Sequence, residues 1–110
     1  MSEVSFSNKA LLLLETLQER MESVEALEDL DMDLIDGVLT VEFEDGGQMI
    51  VNRQSSAEQI WLASPLGPAH FSFDVDKNDW LDDKTSVSLK DTLEQAFASK
   101  LGQAVHLDNF

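Results

Sequence analysis

The chain has 110 residues, 43% of them hydrophobic, with 22 acids against 7 bases and a formal net charge of −15. That length fits one domain over 1–110 with a single core, and the apolar content excludes a disordered chain despite the charge. The lack of cysteine excludes a disulfide framework, a thiolate nucleophile and any sulfur-ligated zinc or iron–sulfur centre within the chain.

The sign of the charge turns away nucleic acid and anionic membrane surfaces and favours cations, either metal ions or a basic patch on another protein. An acidic protein that mimics nucleic acid is the formal alternative. No apolar run approaches the roughly 20 residues that span a bilayer. The start at Met1 lacks a basic region followed by an apolar core, so a bacterial cytoplasm is the expected address.

The first predicted helix places Phe6, Ala10, Leu13, Leu14, Leu17, Met21 and Val24 at spacings of three and four, one apolar stripe. Ser5 or Ser7 is the expected N-cap. At about 100° per residue, Glu15, Glu19 and Glu22 fall opposite the stripe, with Glu25 on its flank. Leu11 and Leu12 interrupt the polar face near its start, and packing under the C-terminal tail is the only role the pattern offers them.

The acids outlast that helix. Glu15, Glu19, Glu22, Glu25, Glu28, Asp29, Asp31, Asp33 and Asp36 stand against Arg20 alone. A run of like charge is ordinarily a solvated helix face. Here, however, Asp29, Asp31 and Asp33 alternate with Leu30, Met32 and Leu34, the period of an extended strand. A helix face explains Glu15 to Glu25 and leaves the second row unexplained.

Short strands follow. Leu39, Val41 and Phe43 alternate with Thr40, Glu42 and Glu44, and Asp45-Gly46-Gly47 signals a hairpin into Met49–Arg53. Gln59–Ala63 comes next, then a turn over Pro65–Pro68, the strand His70–Phe73, a turn over Asp74–Asp79, and a short strand at Trp80-Leu81. Ser88, with Asp91 three residues on, opens a second helix through Leu89, Leu93, Ala96, Phe97 and Leu101, closed by Gly102. The tail is expected to pack through Val105, Leu107 and Phe110. Helix, antiparallel meander of five or six strands, helix is an α+β sandwich with both helices on one sheet face.

Alternation also assigns faces. Ile60 and Leu62 belong to the core, so Trp61 points to the open face as a candidate interface anchor, whereas Trp80 reads as structural. Familiar catalytic patterns are missing. An EF-hand reading of Asp29–Asp33 fails because Leu34 stands where glycine is needed and Thr40 where a bidentate Glu is needed. Neither His70 nor His106 lies in the Glu-x-x-His context of a di-iron bundle, so an enzyme is not expected. What remains is a ridge of hard oxygen ligands suited to iron, Mg²⁺, Ca²⁺ or Mn²⁺, open enough that coordination would be partial and weak.

Gly37-Val38-Leu39-Thr40, Val51-Asn52-Arg53-Gln54 and Gln59-Ile60-Trp61-Leu62-Ala63-Ser64-Pro65, with Gly67-Pro68 and Phe71, follow the acidic helix and strand in an order that resembles the frataxin family, in its bacterial, CyaY-type branch. The resemblance runs from about Ser5 to Gly102. It implies a planar antiparallel sheet backed by two helices, loosely bound Fe²⁺ or Fe³⁺, and a role in iron–sulfur cluster assembly. It also implies contacts with a cysteine desulfurase and a scaffold protein, modulating the desulfurase without being a conventional enzyme. By resemblance, metal and desulfurase contacts fall on the ridge that holds Glu19, Glu22, Glu25, Asp29, Asp31 and Asp33, to which the helical row adds Glu15. Sheet-face partner contacts fall on Asn52, Arg53, Gln54 and Trp61. Gln18, Ser23 and Leu27 stand where relatives often carry acids. A monomer is the default, and an iron store or ferroxidase with iron-dependent oligomers is the competing reading.

Overall fold

Phe6, Ala10, Leu13, Leu14, Leu17 and Met21 are all buried, and they lie on one helix, α1, Glu3–Glu22. The computed structural model of the protein describes residues 3–107. Helix α1 runs ahead of both serines, so neither Ser5 nor Ser7 caps it. Phe6 packs edge-on against Trp80 with centroids 6.2 Å apart.

The other end of α1 comes sooner than the apolar spacing predicts. Ser23 Oγ donates to the carbonyl of Arg20 at 2.7 Å, and Val24 is extended at φ −89 and ψ 122. A short 3-10 turn, Glu25–Leu27, follows, so Glu25 stands on that turn and not on the helix flank. Leu11 and Leu12 are not covered; they are 42% and 64% exposed.

Six strands then form one antiparallel meander: β1 Asp31–Ile35, β2 Val38–Glu42, β3 Gln48–Gln54, β4 Gln59–Ser64, β5 Gly67–Asp74 and β6 Asp79–Asp82. Their order in the sheet is their order in the chain, so β1 and β6 are the two edges. The Asp45-Gly46 turn forms as expected: Phe43 N–H donates to Gly47 O at 2.8 Å, and Gly46 takes φ 91, where a Cβ would be strained. The turn expected over Pro65–Pro68 shrinks to Pro65-Leu66, because Gly67 and Pro68 already pair with Ser64 and Ala63. Proline is tolerated there because the β5–β6 pairing stops at Phe71–Asp82, leaving Pro68 on a locally unpaired margin.

Helix α2, Leu89–Leu101, is capped at both ends. Ser88 Oγ accepts from Asp91 N–H, and Gly102 closes the helix in the left-handed region. Both helices lie over the sheet face of Leu39, Val41, Met49, Val51, Ile60, Leu62 and Phe71, all buried. This is the expected α+β sandwich. Trp80 is buried between Phe6 and Phe73, a structural role. In the tail Val105 and Leu107 are buried, and Leu107 N–H donates to Glu94 Oε2 at 2.7 Å; Phe110 lies outside the described residues.

Leu17 is completely buried while Leu12 is mostly exposed. Leu17→Ala is therefore expected to cost about 2–5 kcal/mol in urea unfolding, and Leu12→Ala to stay within about 0.5 kcal/mol of the parent.

Candidate metal and docking surface

Strand β1 sets the geometry of the acids. Its alternation sends Met32 and Leu34 against the core and leaves Asp31, Asp33 and Ile35 exposed. Across the ladder Asp31 faces Glu42, and Asp33 faces Thr40. Together with Met32 and Gln48 these residues line a shallow cavity of about 290 Å³ on the bare side of the sheet. Glu42 was not singled out as a site residue by the sequence; its place on the polar face of β2 was legible, but its partner depended on the β1–β2 register.

The seven predicted metal carboxylates divide into groups. Glu15, Glu19 and Glu22 are exposed on α1, and Glu25 is exposed on the 3-10 turn after it. Arg20 Nη1 reaches Glu19 Oε1 at 3.4 Å, a solvent-exposed pair of small energetic weight. Asp31 and Asp33 share the β1–β2 patch. Asp29 lies before β1 in the turn and lines a separate cavity with Glu44, Asp45 and Lys100. Among the described residues no three His, Cys, Asp or Glu side chains converge as a closed metal site requires. The surface is an open field of exposed carboxylates.

Lys100 bounds that field. Its Nζ meets Asp45 Oδ2 at 2.6 Å and lies 5.4 Å from the Phe43 ring centroid. The hydrogen bond from Lys100, then that from Gly47 N–H, holds the Asp45 carboxyl below its ordinary value of 3.8. A carboxyl depressed in the folded state adds stability above pH 3.8 and loses it as the pH falls through the lower folded value. At the far edge, burial pushes Asp82 up, but the N–H groups of Lys84 and Thr85 outweigh it and leave the group lowered.

The second surface is the middle of the bare sheet face. Trp61 on β4 lies across from Asn52 on β3 and His70 on β5. Its indole stacks on the His70 ring with centroids 4.3 Å apart and planes 18° from parallel. Gln54 shares this face, opposite Gln59. Arg53 does not: alternation puts it on the other side of β3, at the strand's end. Its guanidinium would sit 3.1 Å from a Cβ at Gly37, and its backbone N–H donates to Gly37 O at 2.9 Å. Three of the four expected sheet-face partner residues thus share a surface, and Arg53 instead packs on the β1–β2 turn. Gln59 and His70, which frame Trp61, were absent from the expected site.

An edge of exposed carboxylates and an aromatic patch on the bare face of one antiparallel sheet mark the surface of this small α+β protein. The chain belongs to the frataxin family: a family model described as a frataxin-like domain matches residues 1–103. It is 55% identical over 107 residues, 97% of this chain and 100% of the relative, to the iron–sulfur cluster assembly protein CyaY of Thioalkalivibrio sulfidiphilus (strain HL-EbGR7). Its fold is similar to that of a frataxin from Psychromonas ingrahamii of the CyaY protein family, with a TM-score of 0.85 at 28% identity over 99% of this chain and 100% of that one. It is also similar to trimeric frataxin from the yeast Saccharomyces cerevisiae complexed with ferrous iron, with a TM-score of 0.64 at 31% identity over 94% of this chain and 88% of that one. The family and its CyaY members belong to iron–sulfur cluster assembly, and iron is the metal associated with them.

Asp31 and Glu42 are like charges directly opposite on neighbouring strands, an arrangement that destabilises a sheet. Glu42→Lys is expected to raise unfolding free energy by about 0.2–1 kcal/mol at low salt. Urea titration at rising NaCl should show that gain shrinking as the charges are screened.

Proposed function

We propose that this protein binds Fe²⁺ or Fe³⁺ weakly on its acidic ridge and uses the same ridge to dock on, and modulate, the cysteine desulfurase complex of a bacterial cytoplasm. The observation that carries this reading is the exposure of Glu15, Glu19, Glu22, Glu25, Asp31 and Asp33, with Glu42 beside the strand acids. Hard oxygen ligands left open to water suit a hard cation held loosely. The same field suits a basic protein surface, for which charge complementarity chiefly sets on-rate and specificity. A bound cation cancels charge that docking needs, so iron and desulfurase compete for one surface. Trp61, Asn52 and Gln54 then supply the contact with the scaffold protein on the bare sheet face, and Arg53, on the opposite side of β3, takes no part in that contact. On this reading the protein is a metal-responsive adaptor and not an enzyme; other divalent cations would occupy the ridge at higher concentration.

An iron store or ferroxidase built from oligomers is the second reading, favoured by the trimeric state named for the yeast relative. Size-exclusion chromatography after aerobic iron addition separates the two. A lasting monomer that still alters sulfide production fits the adaptor, and iron-loaded oligomers fit the store.

Charge reversal at Glu19→Lys with Glu22→Lys tests the main reading. It is expected to abolish desulfurase binding in a pull-down at low salt and to remove the Fe²⁺-induced perturbation of ridge amides in NMR. Unchanged binding would overturn it.

A further inference from the structure

We propose that Gln59 is a positioning residue, which together with Asp83 locks the Trp61 indole into one orientation before any partner arrives. The side-chain amide of Gln59 is held from both ends. Trp61 Nε1–H can only donate, and it donates to Gln59 Oε1 at 2.9 Å. An ionised Asp83 carboxylate can only accept, and its Oδ2 takes a hydrogen bond from Gln59 Nε2 at 3.1 Å. The same nitrogen reaches Ser72 Oγ at 3.1 Å. With an obligate donor on one side and an obligate acceptor on the other, the amide has a single workable orientation. Gln59 therefore spans β4, β5 and the turn after β6, and that turn is itself held by Asp83 N–H donating to His70 O at 2.9 Å.

The consequence falls on Trp61. The His70 ring covers one indole face, and the indole N–H is already committed to Gln59. What the side chain offers a partner is the remaining ring surface, in a fixed rotamer. Ordering an aromatic anchor during folding removes that cost from docking, which is how preorganisation tightens a complex. A glutamine two residues before a surface tryptophan would otherwise read as an ordinary polar strand position.

The test rests on the docking role of the sheet face proposed above, and its two arms separate the ideas. Gln59→Glu keeps an acceptor for the indole but loses both donors and sets a carboxylate against Asp83. In the free protein the Trp61 indole N–H signal should shift and its hydrogen exchange quicken, while the buried Trp80 signal stays put as a fold control. Docking on the purified desulfurase–scaffold complex should weaken about threefold to tenfold. Adding Asp83→Asn to Gln59→Glu should restore both readouts, because the asparagine amide can donate to the new carboxylate. An unaltered indole signal in Gln59→Glu, or a double variant no nearer the parent than the single, would overturn the proposal. If Trp61→Ala docks as tightly as the parent, the docking role fails, and the positioning role is decided by indole exchange in the free protein alone.

Discussion

The two-sided character of β1 is the constraint on which the rest depends. Met32 and Leu34 anchor its inner side to the core, and that anchoring lets Asp31 and Asp33 stay outside, opposite Glu42 on the neighbouring strand. A one-residue slip of the strand would bury the aspartates and expose the apolar pair, so the core fixes the register and the register fixes the acids. Helix α1 follows the same plan, with Leu14, Leu17 and Met21 completely buried and Glu15, Glu19 and Glu22 exposed. Apolar burial holds together carboxylates that repel one another, and that repulsion subtracts from the net stability.

An edge strand normally risks pairing with another chain, because its outer backbone groups lack a ladder partner. Here β1 is an edge, and the aspartates make it a poor template for a second copy. The same charges that discourage self-association favour a cation or a basic surface. The bare sheet face obeys a different rule. The middle of the bare face is protected on both flanks by strands, and it holds an aromatic stack in place of charge. Charge at the margin can steer an encounter, and a fixed ring near the centre can hold it.

Much of this was legible from residues alone. Periods of 3.6 and 2 located both helices and the strands, and Ser88 with Gly102 marked the ends of α2. The inward Ile60 and Leu62 correctly left Trp61 outside. What sequence could not supply was register and side-chain direction at element ends. Glu42 became part of the acidic patch only through its pairing with Asp31. Arg53 left the sheet-face group because it alternates to the opposite side from Asn52 and Gln54. Gln59 acquired a role only when β5 and the turn after β6 brought Ser72 and Asp83 to it. Helix α1 begins ahead of Ser5 and stops at Glu22, where the Ser23 side chain bonds backward to Arg20 although the apolar spacing continues to Val24.

If the ridge captures cations at the expense of stability, as proposed, unfolding should respond to iron. Denaturant midpoints would be measured anaerobically with Fe²⁺ and with NaCl matched in ionic strength, for the parent and for a variant carrying Asp31→Asn, Asp33→Asn and Glu42→Gln. A ligand bound only by the folded state at ten times its dissociation constant adds about 1.4 kcal/mol. Iron capture on the ridge should give a gain of that order with Fe²⁺ beyond the salt control, and a smaller one in the variant, which keeps only the helical row of acids. Equal midpoints with the two salts, or an undiminished Fe²⁺ gain in the variant, would rule out iron capture by these acids.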